Sequence, residues 1–150
     1  MTVQALSCPQ RRQWLAVLAR ARAERLEQAL AQAAPPGHEL VRPPECGMVM
    51  LRGRVGGTGD PFNLGEATVT RCAVRVGERL GIGYVLGRNR RQAELVALLD
   101  ALLQDESRRD EILRDVVEPL AREQADARAA RSRAVATSRV EFFTMVRGEA

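Results

Sequence analysis

The stretch Gly53-Arg54-Val55-Gly56-Gly57-Thr58-Gly59-Asp60-Pro61-Phe62-Asn63-Leu64-Gly65-Glu66-Ala67-Thr68-Val69-Thr70-Arg71 holds five glycines and one proline. It reads either as a cradle for phosphate or as a flexible loop joining two strands. A Walker-type loop needs a lysine to reach the outer phosphates, followed by Ser or Thr for magnesium. This chain contains no lysine. The dinucleotide fingerprint also fails, because Gly57-Thr58-Gly59 is followed at the third glycine position by Phe62. Both motifs require a helix directly after the loop, whose N-terminus holds the anion, whereas Asp60-Pro61 and a strand-like segment follow here. The stretch is therefore read first as a long hairpin loop. A second reading stays open, since consecutive glycines can present backbone N–H groups as an anion nest. Gly56, Gly57, Thr58 and Gly59 would form it, with Arg54 and Arg71 close by in sequence.

Beyond the loop, Cys72, Val74 and Val76 share one face of a strand, while Arg71, Ala73 and Arg75 share the other. Gly77-Glu78-Arg79 follows as a hairpin turn. Strands are expected over 39–42, 47–55, 66–76 and 81–86. No helix-length crossover separates them, so they form an antiparallel meander of about four strands. Upstream, Ser7 as cap, Pro9 in the first turn and Gln10 at the capping-box position predict a helix start. Trp14, Leu15, Leu18, Ala21, Leu26, Ala29 and Leu30 continue it as one helix, which Pro35-Pro36-Gly37 stops.

Downstream, the period becomes helical over 88–104, with Ala93, Leu95, Leu98, Leu99, Leu102 and Leu103. A further helix begins near Arg108, and Pro119 predicts a kink or a fresh start in it. The Ala- and Arg-rich segment 121–137 is expected to be half-buried. The chain then closes on Val140, Phe142, Phe143, Met145 and Val146, an apolar, strand-like tail where chain ends are usually polar. Such a tail docks either on its own sheet or on another chain. The expectation is one α+β domain spanning 1–150.

All 23 basic residues are arginine, with both signs of charge interspersed along the chain. No basic face of the kind nucleic-acid binders carry is visible, so nucleic acid is not expected as a partner. Cys8, Cys46 and Cys72 lack C-x-x-C spacing, and no apolar run approaches a membrane span. The chain is read as reduced and cytoplasmic, with no membrane and no metal. His38, the single histidine, lies in a Pro/Gly loop beside no nucleophile in sequence. A second anion candidate is Gly87-Arg88-Asn89-Arg90-Arg91, where three arginines at a helix start oppose the helix dipole. Phosphate, Glu94 or a partner's acidic patch would offset them. No self-sufficient active site is evident, and no catalytic residue is assigned.

Several segments resemble the PhnG family, a component of the carbon–phosphorus lyase system. They are Arg12-Gln13-Trp14-Leu15-Ala16-Val17-Leu18-Ala19, the loop Gly53 to Gly59 with Gly65-Glu66-Ala67-Thr68-Val69-Thr70-Arg71, and Gly83-Tyr84-Val85-Leu86-Gly87-Arg88 with Ala93-Glu94. The tail Ser138-Arg139-Val140-Glu141-Phe142-Phe143-Thr144-Met145-Val146-Arg147-Gly148 completes the set. Pro61, Asn63 and Cys72 read as local variations. The resemblance implies a bacterial protein that works with subunits H, I and L of that system. Together they make α-D-ribose 1-methylphosphonate 5-triphosphate from ATP and methylphosphonate, releasing adenine. It also implies a core complex with H, I and J in two copies each. ATP would be a substrate of the complex, and this chain alone would bind no cofactor.

The expectation is an accessory subunit whose meander and tail bind a larger catalytic subunit, the isolated chain being inactive. The rivals are a stand-alone module binding phosphate-containing ligands through Arg54, Arg71 and Arg88, and an autonomous enzyme using acidic residues.

Overall fold

In the computed structural model, which describes residues 8–33 and 37–137, the alternation along 66–76 sets the inner face of a sheet. Cys72, Val74 and Val76 are buried on that face, while Arg71 and Arg75 are exposed on the other. The elements run α1 (Cys8–Leu18), α2 (Ala23–Ala33), β1 (Glu39–Arg54), β2 (Pro61–Val76), β3 (Arg79–Leu86), α3 (Arg90–Leu103), α4 (Glu106–Ile112) and α5 (Glu118–Ala136), with a π turn at Leu113–Val117. The fold is α+β, with an antiparallel sheet in the order β1-β2-β3.

The expected fourth strand is absent from the described residues because 39–42 and 47–55 belong to one long strand. Pro43-Pro44 marks the apparent break, but β1 lies at the sheet edge, where a strand tolerates proline. The irregularity is absorbed as register shifts between Leu40 and Arg42 and between Arg42 and Glu45. The single N-terminal helix is in fact two. At the break, the Gln92 side-chain amide donates to Ala19 O (3.2 Å) and Ala21 O (2.7 Å), so α3 supplies partners for carbonyls the helix no longer uses. The tail 138–150, with Val140, Phe142, Phe143, Met145 and Val146, lies outside the described residues.

The helices cover one face of the sheet. Trp14, Leu18, Leu26, Val74, Val85, Leu95, Leu99 and Leu103 belong to one buried cluster, which Ile112, Val117 and Leu120 extend. The closest contact sets α3 on β3. A Cβ at Gly83 would fall on the Ala93 carbonyl, and one at Gly81 would fall on Ala97 O and lie 2.7 Å from Ala101 N. Two glycines under Ala93, Ala97 and Ala101 thus let helix backbone rest directly on strand backbone. Asn89 caps α3 by accepting from the Gln92 N–H at 2.9 Å. The π turn ends at Val117, two residues before Pro119, whose ring cannot continue an α-helical ladder. Beyond it, α5 is less buried than half: Leu120 is its one buried residue among those described.

β3 pairs with β2 only from Val69 to Val76. β1 and β2 pair on to Arg54 and Pro61. The outer half of their hairpin, 47–54 and 61–67, therefore projects past the third strand as a two-stranded ribbon.

Candidate functional site

The glycine loop closes the far end of this ribbon. Val55–Gly57 form a 3-10 turn in which Gly56 (φ 59°) and Gly57 (φ 84°) take left-handed conformations. That backbone favours glycine, which has no Cβ to clash there. The Thr58 and Gly59 N–H groups both donate to Val55 O, and the Val55 N–H donates to Asp60 O. The Arg54 guanidinium donates to Gly59 O at 3.1 Å. Four donors at the tip thus serve the loop's own carbonyls, which gives a closed turn. β2 starts at Pro61, so no helix N-terminus stands behind it.

The three candidate arginines lie apart. Arg54 pairs opposite Pro61 at the tip. Arg71 stands ten residues along β2, or about 30 Å at the rise of an extended strand, and its side chain lies on the opposite face of the ribbon. It forms an ion pair with Glu45 at 3.2 Å. Arg88 sits between β3 and α3, where it and Arg90 act on the Cys46 thiol. The structure brings Arg88, Arg90 and Cys46 together, and it sets Arg54 and Arg71 elsewhere. Arg91 is answered within the chain, by Glu27 (3.0 Å) and Glu94 (3.4 Å). His38 lies 3.6 Å from the same Glu94.

At the base of the ribbon, Cys46 Sγ lies 3.5 Å from the Thr70 hydroxyl, whose proton is donated to Gly87 O at 2.7 Å. The Thr70 hydrogen bond, and after it the Arg90 and Arg88 guanidiniums, hold the Cys46 thiol below its ordinary value. Burial pushes the Cys72 thiol up to about 11, with the Glu94 charge adding to the effect. The two cysteines, on neighbouring strands, thus have opposite chemistry.

Sequence reasoning missed Asp100, a fully buried carboxylate in the apolar run of α3. It accepts from Arg11 Nε (3.1 Å) and a terminal Arg11 nitrogen (2.7 Å), from Trp14 Nε1 (2.9 Å) and from the Ile82 N–H (2.9 Å). Arg11 and the Gln104 amide also donate to Leu80 O, at 3.0 and 2.8 Å. An acid amid Leu95 to Leu103 was the available signal. Saturated with donors and closed to solvent, this carboxylate ties α1, β3 and α3 together; it does not face a substrate.

A cleft of about 210 Å³ lies between α2 and α4, lined by Ala29, Gln32, Arg108, Glu111, Ile112 and Asp115. A neighbouring one of about 130 Å³ lies beside Arg25 and Pro119. Each is below the roughly 300–1,000 Å³ typical of small-molecule sites. Among the described residues no group of three or more His, Cys, Asp and Glu is placed to hold a metal ion, and no helix is long and apolar enough to cross a membrane.

The surface is dominated by the ribbon. On it Met48 (67% exposed) and Leu64 (65%) stand out, with Met50, Leu51 and Phe62 also exposed, and off it Leu86 at the end of β3 is the most exposed large apolar residue described. Comparison with known proteins gives the family. Residues 9–148 match the family model described as phosphonate metabolism protein PhnG.

This chain belongs to the PhnG family. It is 45% identical over 142 residues to the alpha-D-ribose 1-methylphosphonate 5-triphosphate synthase subunit PhnG of Rhizobium meliloti (strain 1021), covering 93% of this chain and 90% of that protein. The family's N-terminal segment Arg12 to Ala19 corresponds to α1, whose Trp14 is held by Asp100. The loop segment corresponds to the ribbon tip, and Gly83 to Arg88 forms the end of β3 and the approach to α3.

Proposed function

We propose that this chain is the PhnG subunit of a synthase complex that makes α-D-ribose 1-methylphosphonate 5-triphosphate in phosphonate catabolism. The observation that carries this reading is the 45% identity, along 93% of the chain, to a protein named as that subunit. In this reading the complex forms the product from ATP and methylphosphonate, releasing adenine, with subunits H, I, J and L as partners. Two copies of this chain enter each core complex in the cytoplasm. The role of this chain is accessory: it binds no cofactor by itself, and alone it turns over no substrate. Its sheet and its tail, through Val140, Phe142, Phe143, Met145 and Val146, contact the larger catalytic subunit.

The geometry agrees with an accessory role more readily than with an independent phosphate module. Arg54 is occupied by the loop it borders, Arg71 is paired with Glu45, and Arg88 lies at the other end of the ribbon. Co-expression of a tagged copy with the neighbouring phosphonate subunits tests the reading. Stoichiometric co-elution is expected, and the Phe142→Ser/Phe143→Ser variant should lose it. A monomer that elutes alone and binds ATP would overturn the assignment in favour of a stand-alone module.

A further inference from the structure

We propose that the outer half of the β1–β2 hairpin is an arm that enters a mainly apolar cleft on a larger protein subunit of the same synthase and is covered there on both faces; this rests on the subunit reading above. Strand alternation separates the two faces. Phe62 and Leu64 flank Gly53, whose Cβ position lies 3.4 Å from the Phe62 ring; Leu51, two residues away, shares their face. Met48 and Met50 are in phase with Cys46, which meets Thr70 on the other face. All five large side chains are exposed.

A lone two-stranded ribbon is at best marginally stable in water, and this one carries apolar groups on both sides. The Leu51 face bears no charged side chain from Gly47 to Gly53 on β1 or from Phe62 to Val69 on β2. The Met face gains charge only at Arg52, Arg54 and Glu66. A complementary surface is therefore apolar against the Leu51 face and, against the Met face, mainly apolar with groups that answer Arg52, Arg54 and Glu66, which favours a protein cleft over a polyanion. At the tip the Val55, Thr58 and Gly59 N–H groups and the Arg54 guanidinium are turned onto the loop's own carbonyls.

Size decides between one face and two. A ribbon of eight residues per strand is about 27 Å long and about 10 Å wide, so each face offers about 270 Å². A stable interface buries about 800 Å² per partner. One face would be a minor addition to an interface that the sheet and tail also enter, whereas two faces with the two open edges would make the ribbon its main part. A second copy of the chain laid symmetrically against the arm would cover one face and leave either the methionines or Phe62 and Leu64 in water. A cleft covers both.

The test uses the full chain co-expressed with the other synthase subunits. Two variants each alter one face, Phe62→Ser/Leu64→Ser and Met48→Ser/Met50→Ser, and both variants are also purified alone and melted. The expected result is a tenfold or greater loss of co-purified subunits for each variant, with the melting temperature of the isolated chain unchanged. Full recovery with both variants would overturn the proposal while leaving the subunit reading standing. Loss with only one variant would replace the cleft by a flat, single-faced contact and also overturn it. So would an isolated wild-type chain that dimerises and is made monomeric by either variant. If the wild-type chain itself fails to co-purify, the subunit reading fails and the arm proposal falls with it.

Discussion

At Asp100 a single side chain decides how α1 meets the sheet. Its removal leaves the Trp14 and Ile82 N–H groups without partners in a dry environment, each costing about 1–3 kcal/mol. Arg11, about a third exposed, recovers water and adds little. Asp100→Ala is therefore expected to lower unfolding free energy by about 3 kcal/mol, and Asp100→Asn by about half as much, in urea denaturation with an unchanged m-value. The cysteines make a second residue-scale prediction. Cys46, exposed and with a lowered pKa, should alkylate at pH 8 well before Cys72; peptide mapping of a timed iodoacetamide reaction measures the order. Arg88→Gln/Arg90→Gln should slow Cys46. For Cys72 the folded pKa is about 11 against an ordinary 9.0, so the folded state holds its proton longer. Its contribution to stability is full below pH 9 and falls as pH rises toward 11, a slope that Cys72→Ala should flatten.

Among the elements, contact between α3 and β3 depends on missing side chains. Gly83→Val would drive methyl groups into the Ala93 carbonyl and lift the helix from the sheet, so a loss of about 3 kcal/mol or more is expected. Gly47→Val, on the ribbon with nothing within 4 Å of its Cβ position, should change thermal stability by less than about 0.5 kcal/mol. Comparative melting of the two variants checks the contrast. The strand alternation of Cys72, Val74 and Val76 and the period of Leu95 to Leu103 were legible in sequence because local period reports the buried face directly. The break between α1 and α2 was not, since it depends on a glutamine 71 residues away. Nor was the continuity of β1 through Pro43-Pro44, which only its edge position permits. Of the candidate site, the hairpin nature of the glycine loop was readable from the absent lysine and the missing helix. The separation of Arg54 from Arg71 and Arg88 was not, because it follows from the length of a ribbon whose pairing sequence alone does not reveal.

The whole molecule has two unequal parts, a helix-covered base holding the buried cluster and a ribbon contributing none of it. Such a division predicts two classes of amide exchange. In the isolated chain, amides of 47–54 and 61–67 should exchange by local opening, roughly a hundredfold or more faster than those around Val74 and Val85, which open only on global unfolding. Mass spectrometry of deuterium uptake distinguishes this from uniform protection. The hydrogen bonds at Leu80 and Ile82 have a consequence for the molecule in a crowded cell. Those two residues turn their backbone groups outward from β3, where a foreign strand would seek them, and Arg11, Gln104 and Asp100 already occupy them. A foreign strand cannot pair with those two groups without displacing these side chains. A subunit waiting for its complex thus has this stretch of its β3 edge already taken while the ribbon stays exposed.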